Sequence, residues 1–199
     1  MTQNKAVTTH NGEGRIWHKQ LLILIVAMLI TAGGASLTYG QDSVKLDKEV
    51  DAAIAKLYAK SPPAKQLAKT AKAILIFPKV KKAGFLIGGQ YGEGALRVNG
   101  KTHSYYKTTA ASFGLQAGGQ SFGYVMFLMN DSAVEYLKKS SGWEVGVGPT
   151  LVVVDEGASA NLSTSTAKTD IYVFFFSQKG LMAGLSVEGS KITQFDPND

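Results

Sequence analysis

A glycine pattern that occurs twice between Ala83 and Gly123 is the feature that most constrains how this chain folds. The first copy is Gly84-Phe-Leu-Ile-Gly88-Gly-Gln, and the second, thirty residues later, is Gly114-Leu-Gln-Ala-Gly118-Gly-Gln. Polar residues flank both copies, so neither lies in the long apolar run in which Gly-x-x-x-Gly packs membrane helices. In a strand, residues i and i+4 share a face, and glycine at both leaves room for a neighbouring element or a sharp bend. The pattern therefore predicts a Gly-rich antiparallel sheet.

The first forty residues have the order of an export leader. Residues 1–20 are polar with a positive excess, and residues 21–32 are apolar apart from one Thr. Small residues follow, which predicts a signal peptide cleaved after Ala35 or Gly40. Extending the apolar run to Leu37 gives 17 residues, close to the ~20 of a spanning helix, so an uncleaved inner-membrane anchor is the alternative. Either reading predicts an exported protein, periplasmic or associated with the cell envelope.

Behind the leader, residues 41–199 are predicted to form a single domain, with a helical basic segment over 43–72 and a sheet over 73–195. Apolar residues at helical spacing predict a first helix over 43–60. Ser61-Pro-Pro supplies a cap and first-turn prolines for a second helix, which extends over Ala64–Lys72. A third helix, capped by Asp131 and ending at Lys139, is inserted between strands.

The rest of the domain is predicted to be about ten short strands joined by turns. Ala73–Phe77 is a short buried strand that Pro78 ends, and Asn99-Gly100 is a strong hairpin signal. Strands and helices do not alternate, so the expected class is α+β, with the antiparallel sheet curled into a barrel or sandwich. The other predicted strands are Phe85–Tyr91, Ala95–Val98, Thr102–Thr108, Ser112–Gly119, Gly123–Met129, Trp143–Val147, Leu151–Val154, Ala160–Ser165, Ile171–Phe176, Leu181–Val187 and Ile192–Phe195.

Positive charge is concentrated at the start of the predicted domain. Residues 45–82 hold ten Lys and three acidic residues, a net charge of +7, whereas residues 83–199 hold eight basic and ten acidic residues, a net charge of −2. Six lysines fall within eighteen positions with no acidic residue among them. Near an anionic membrane each Lys contributes about 1 kcal/mol, so they are the candidate lipid-binding site, with an ordinary solvated face as the alternative. They are Lys65, Lys69 and Lys72, on one face of the second helix, and Lys79, Lys81 and Lys82, in a predicted turn.

No catalytic site, metal site, cofactor or nucleic-acid partner is expected. Gly119-Gln-Ser121-Phe-Gly123 has the form of a hydrolase elbow, but that elbow requires a strand-to-helix turn and a later His, and all three His precede Ser121. Gly88-Gly and Gly92-x-Gly94 lack the Lys-Ser/Thr or the following helix of phosphate-binding loops, so we interpret these glycines as structural. The absence of Cys excludes disulfides, thiolate metal sites and Cys nucleophiles.

Three consecutive aromatic residues, Phe174-Phe-Phe176, support an alternative function. Because successive strand residues point to opposite faces, at least one ring is expected on the outer face of the sheet, as an apolar patch. Such a patch would suit a structural or adhesive cell-envelope protein that binds another protein, or itself, through its sheet.

Seven short blocks carry a further signal: Phe77-Pro-Lys-Val80, Lys82-Ala-Gly-Phe85, Tyr91-Gly-Glu-Gly94, Ser112-Phe-Gly-Leu-Gln116, Gly119-Gln-Ser-Phe122, Ser141-Gly-Trp-Glu-Val145 and Gln178-Lys-Gly-Leu-Met-Ala-Gly184. In the same order, and over about Leu57 to Phe195, the chain resembles the SYLF lipid-binding domain family. The resemblance implies a non-enzymatic domain that binds membranes, with phosphoinositides as ligands of eukaryotic members and actin as a partner of fungal ones. It also implies that a basic amphipathic segment before the sheet binds lipid, which by position is Ala64–Lys82. With an export leader and no SH3 domain, the chain looks like a bacterial secreted member, for which anionic phospholipid or lipopolysaccharide is the expected surface.

Overall fold

One long β-hairpin makes up most of the sheet. The structure is a computed structural model that describes residues 41–139, 143–154, 169–180 and 189–199. Strands β1 (Ala73–Val98) and β2 (Lys101–Leu128) pair in antiparallel fashion along their whole length. The turn between them has φ of 51° at Asn99 and 77° at Gly100, the left-handed conformations that a two-residue hairpin turn requires. The predicted hairpin is confirmed.

The other elements extend this hairpin into a strongly curled sheet of α+β class, as predicted. Within the described residues the strand order is β3-β6-β2-β5-β4, with β1 paired to β2. Every pair is antiparallel except β4 with β5, which is parallel. Sixteen residues, 155–170, separate those two strands, enough for the crossover that a parallel pair needs. The remaining elements are α1 (Gln41–Lys60), α2 (Pro62–Leu67), α3 (Asp131–Lys139), β3 (Trp143–Glu144), β4 (Leu151–Val154), β5 (Ile171–Gly180) and β6 (Lys191–Phe195).

The repeated glycine pattern marks a bend in the hairpin. Gly84 on β1 pairs with Gly118 on β2, and the register shifts between Phe85 and Ile87. A Cβ on Gly84 would lie 2.4 Å from the Cα of Gly88, so a side chain at this position would block the bend. The two copies of the pattern therefore lie on the two strands of one hairpin, at the place where both change direction.

Beyond the bend, β1 returns and touches its own first half. A Cβ on Gly94 would lie 2.1 Å from the Ile76 carbonyl oxygen and 2.7 Å from Cδ1 of Phe77. Gly94 and Ile76 are eighteen residues apart, which along a straight strand is about 60 Å. The hairpin must fold back on itself to bring these backbones into contact, and this is the structural role of Gly92-x-Gly94.

Hydrophobic clusters cover both faces of the sheet. On the face that we call the α1 face, Leu46, Val50 and Leu57 of α1 are buried in one cluster with Ile76 and Phe127. On the opposite face, the α3 face, Ala133 and Leu137 of α3 are buried with Leu75, Tyr124 and Trp143. Because both faces are buried, the central strands are apolar at successive positions.

Burial of both faces removes the predicted aromatic patch. Phe174 and Phe176 are 3% and 6% exposed on the α1 face. Phe175 is half-buried against the cluster of the α3 face, with its ring centroid 5.6 Å from that of Phe122. The expectation of an outward ring was wrong because α1 covers the face that the sequence pattern left open.

β1 and β2 are continuous where the sequence predicted several short strands. β1 continues through Pro78, with a register shift between Phe77 and Val80 that accommodates a residue without an N–H. The segment Lys79–Lys82 is consequently part of β1 and not a turn. β2 likewise continues through Ser121, where only its pairing with β5 is irregular. These strands bend or bulge at Pro and Gly instead of ending there.

The three predicted helices are present, with one shorter than expected. Ser61 caps α2, its Oγ accepting from the N–H of Ala64 at 3.3 Å. α2 ends at Leu67 instead of Lys72, because the Lys72 N–H already donates to the Leu128 carbonyl at the sheet edge. The helix over 131–139 is confirmed, but its cap is Asn130, whose Oδ1 accepts from the N–H of Ala133 at 2.9 Å.

Three predictions fall on residues that the structure does not describe: the leader over 1–40 and the strands over Ala160–Ser165 and Leu181–Val187. Across the described ranges, none of the helices combines the length and apolarity needed to span a bilayer.

Replacing Gly94 by Ala should destabilise the fold, because the new methyl group would overlap the Ile76 carbonyl oxygen. We expect a loss of about 1–3 kcal/mol in the free energy of unfolding, as for overpacked sites. Gly89→Ala is the matched control on the same strand, since a Cβ there meets only the Ala110 carbonyl oxygen at 3.9 Å. Denaturant titration of both variants measures the difference, and equal stabilities would contradict the contact between the two halves of β1.

Candidate functional site

The first three predicted lysines lie at the end of the sheet near α3. Lys65 is on α2, Lys69 is in the turn that follows, and Lys72 immediately precedes β1; all three are exposed. The Lys72 Nζ lies 3.8 Å from Oδ2 of Asp131, the first residue of α3. Because both side chains are largely exposed, this ion pair contributes little to stability.

The other three predicted lysines lie further along β1, where Lys79 and Lys81 are exposed and Lys82 is half-buried. Lys81 pairs with Ser121 on β2, whereas the Lys72 N–H donates to Leu128. Seven residues of strand separate Ser121 from Leu128, or about 23 Å. The six lysines that are close in sequence therefore form two separate groups.

Strand pairing places a further cation beside the second group. Ser121 pairs with Lys81 on one side and with Lys179 of β5 on the other. Cross-strand partners share a face, so both lysines lie on the α1 face, two strands or about 10 Å apart. Lys179 was not recognised as a candidate from sequence, although it lies in the last of the blocks that resemble the SYLF family.

The end of α1 adds two more lysines to the same region. The Lys56 Nζ donates to Oγ of Ser177 at 2.8 Å, two residues from Lys179. Lys60 follows one helical turn later, on the same side of α1. We call Lys56, Lys60, Lys81 and Lys179 the four-lysine cluster. Their sequence separation, up to 123 positions, explains why the charge pattern alone does not find them together.

The four-lysine cluster is not neutralised by carboxylates in the described part of the chain, where the ion pairs involve Lys72, Arg97 and Lys139. The acidic residues of α1 lie towards its other end, where Asp51 and Asp47 are 2.7 Å and 3.5 Å from Arg97. Cations in the last turn of a helix also interact favourably with its dipole. The cluster is therefore a positive surface available to an anionic ligand.

A cleft at the opposite end of α1 has the reverse charge. Its volume is about 440 Å³, and Asp42, Glu49, Glu93, Asp196 and Asp199 are among its lining residues. Tyr91 donates a hydrogen bond to Glu93, which together with partial burial and the nearby charge raises the pKa of Tyr91 to about 12. The excess of carboxylates makes this cleft unfavourable for an anionic ligand.

The described residues provide no geometry for a nucleophile elbow or a metal centre. Ser121 lies within β2, paired on both sides, and not at the strand-to-helix turn that an elbow requires. Within the same ranges no group of three or more His, Asp or Glu side chains is arranged to hold a metal ion.

Three buried polar side chains on the α3 face were also missed from sequence. The hydroxyls of Thr108 and Tyr124 and the amide of Gln120 have no hydrogen-bond partner among the described residues. Burial raises the pKa of Tyr124, and the nearby Thr108 hydroxyl acts in the opposite direction. Each unsatisfied group costs about 1–3 kcal/mol, so this region is a candidate position for bound water.

Comparison with known proteins identifies similarity to one family. Residues 109–198 match the family model of Ysc84, described as "Las17-binding protein actin regulator". Protein YSC84 of Saccharomyces cerevisiae is 32% identical over 133 residues, which cover 63% of this chain and 28% of that protein. The chain thus spans less than a third of the length of this curated relative. Of the four-lysine cluster, only Lys179 lies within the matched residues 109–198.

Removing the carboxylate beside Tyr91 should lower the pKa of the tyrosine. In Glu93→Gln we expect that pKa to fall from about 12 towards the ordinary value of 10.0, since the largest cause of the shift is the bond to Glu93. A raised pKa favours the neutral phenol in the folded state, so its stabilising contribution is complete below pH ~10 and is lost as the pH rises through ~12. NMR titration of ring-labelled tyrosine measures the pKa of Tyr91 in each variant. Glu135→Gln, on α3, is the control, and equal Tyr91 titrations in the two variants would contradict the assignment.

Proposed function

We propose that this chain, whose residues 109–198 match the Ysc84 (SYLF) family model, is a non-enzymatic protein that docks on anionic membrane surfaces through exposed lysines. The observation that carries the proposal is the four-lysine cluster, assembled from α1, β1 and β5 without an acidic partner in the described residues. The matched family is described by binding and regulation, not by a reaction.

The size of the expected electrostatic attraction supports docking. Each Lys near an anionic surface contributes about 1 kcal/mol, so half engagement of four lysines supplies about 2 kcal/mol. Lys79 is exposed next to the cluster, and the group Lys65, Lys69 and Lys72 would add to the attraction if the membrane reached it. Lys81 and Lys72 are about 23 Å apart along the sheet, whereas Lys65 follows Lys60 of the cluster by only five residues. Both groups therefore lie within the footprint of a protein lying flat on a bilayer.

The kind of membrane surface that we propose as the ligand follows from the proposed export of the protein. An exported protein meets anionic glycerophospholipid or lipopolysaccharide, and both present negative charge at high density. Las17 and actin appear in the description of the family, and we do not assign either to this chain. The alternative of an adhesive protein that binds through exposed aromatic strands loses its main support, because Phe174 and Phe176 are buried.

Export is the second part of the proposal, and it rests on the order of residues 1–40. Expression of the full chain in a bacterial host should yield a mature protein that starts after Ala35 or Gly40. Amino-terminal sequencing of the periplasmic fraction measures this. A chain recovered from the inner membrane with residue 1 intact would instead support the uncleaved anchor, and a chain that stays in the cytoplasm would contradict export.

Reversing charges in the four-lysine cluster should weaken membrane docking. For the triple variant Lys56→Glu, Lys81→Glu and Lys179→Glu we expect roughly tenfold weaker binding to vesicles that contain anionic lipid, equivalent to about 1.4 kcal/mol. Co-sedimentation of the full chain at several salt concentrations measures binding, because exposed charge contacts are screened within about 8 Å at physiological ionic strength.

Two matched triple variants make this experiment specific. Lys101→Glu, Lys138→Glu and Lys191→Glu change the net charge equally at exposed positions outside both lysine groups, and should have less than a twofold effect. Lys65→Glu, Lys69→Glu and Lys72→Glu test the group near α3. All variants keep residues 1–40, so any contribution of the apolar run is constant. Equal binding of all three variants and the unmodified protein would remove the lysines from the proposal.

A further inference from the structure

A cavity lies beside the four-lysine cluster, between the end of α1 and strands β4 and β5. Its volume is about 270 Å³, and none of its described lining residues is acidic. Most of the described lining residues are aliphatic or aromatic, and a lysine and a serine lie where α1 ends and the chain turns. The lining residues are Leu57, Lys60, Ser61, Val154, Phe174, Phe175 and Phe176.

The aromatic part of the wall is held rigidly by the sheet. The Phe176 ring lies over Gly123, where a Cβ would be 2.5 Å from two ring atoms. Phe174 packs edge-on against Phe127, with ring centroids 5.5 Å apart and an interplanar angle of 88°. Because Gly123 leaves no side chain beneath the ring, Phe176 sits deep against β2. The cavity is therefore part of the packed fold.

Lysines that form no ion pair with the described residues border this cavity. Lys60 lines the cavity and makes no hydrogen bond or ion pair with the described residues. Lys56 lies one helical turn before it, and Lys179 is three residues beyond Phe176 on β5. An apolar cavity bordered by cations complements a molecule that has an apolar chain and an anionic end.

We propose that this cavity binds the acyl chain of a single-chain anionic amphiphile, with the carboxylate or phosphate of the ligand against Lys60 and the four-lysine cluster. The inference deepens the proposed function, on which it rests for the role of the lysines. A volume of about 270 Å³ is just below the ~300–1,000 Å³ of pockets for drug-sized ligands, so it suits one short chain or the end of a longer one. A diacyl lipid would have to leave its second chain outside.

Binding in an apolar cavity predicts a specific dependence on chain length. Each additional methylene that is buried should strengthen binding about fourfold, the factor expected for removing one methylene from water. The gain should stop once the cavity is filled. Attraction to surface lysines alone depends on the charged end and would be nearly independent of chain length.

The test is a titration of the full chain, without membranes, with monomeric hexanoate, octanoate and decanoate, followed by methyl NMR. The methyl groups of Leu57 and Val154 report on the cavity, and those of Leu75 and Val173, buried on the α3 face, are the internal reference. Lys60→Glu should weaken binding several-fold, whereas the control Lys101→Glu, at the hairpin turn, should not. A ligand bound by the apolar run over 21–32 would leave the Leu57 and Val154 signals unchanged.

The inference is supported if the Leu57 and Val154 methyls shift saturably and with increasing affinity along the series. It is overturned if they do not shift, or if affinity is independent of chain length. This series needs no substitution, so it decides the question even if a cavity-filling variant such as Val154→Phe does not fold. Vesicle binding that persists without these shifts would overturn the cavity inference alone, whereas loss of salt-sensitive vesicle binding with the shifts intact would overturn only membrane docking.

Discussion

The backbone contact between Gly94 and Ile76 is the constraint on which the rest of the structure depends. A β-ribbon of this length cannot bury both of its faces while it stays extended. The bend at Gly84 and Gly88 and the contact at Gly94 bring the two halves of the ribbon together, and each face then receives its own hydrophobic cluster. Helices α1 and α3 cover surfaces that exist only after this folding. Glycine is required at these positions because the distances leave no room for a Cβ.

The same topology decides where the charges lie. α1 carries carboxylates near its start, two of which lie within ion-pair distance of Arg97 on the hairpin, and lysines near its end. Since α1 is one helix of 20 residues, about 30 Å long, it places its carboxylates at the acidic cleft near its start and its lysines in the four-lysine cluster near its end. β5, which follows α1 by more than a hundred residues, adds Lys179 and two aromatic rings at the basic end. The four lysines and the cavity thus lie together at the end of α1, because α1, β1 and β5, which are distant in sequence, come together there.

Local sequence signals predicted the parts of the fold that local physics determines. The Asn99-Gly100 turn, the start of α2 at Ser61 and the bend at the glycine pattern each follow from the conformational limits of one or two residues. The self-contact of β1 could not be predicted, because it joins residues eighteen positions apart whose proximity depends on the whole ribbon. Pro78 was interpreted as a strand end, yet a bulge keeps it within β1. For the site, the sequence supplied Lys81 of the cluster, while Lys179 required the pairing of β2 with β5, and Lys56 and Lys60 required the contact of α1 with β5.

The length of the hairpin has a consequence for how the chain folds. The first pair beside the turn, Val98 with Lys101, closes a loop of a few residues, whereas the last pair, Ala73 with Leu128, joins residues 55 positions apart. Closing the longer loop costs more chain entropy, so pairing is expected to start at the turn and proceed outward. The contact between the two halves of β1 forms only after the bend has been reached, which makes it a late event. A topology dominated by such distant pairings folds slowly, on the scale of milliseconds to seconds. During that time unpaired strand edges are exposed, which makes an early-forming hairpin turn important for avoiding aggregation.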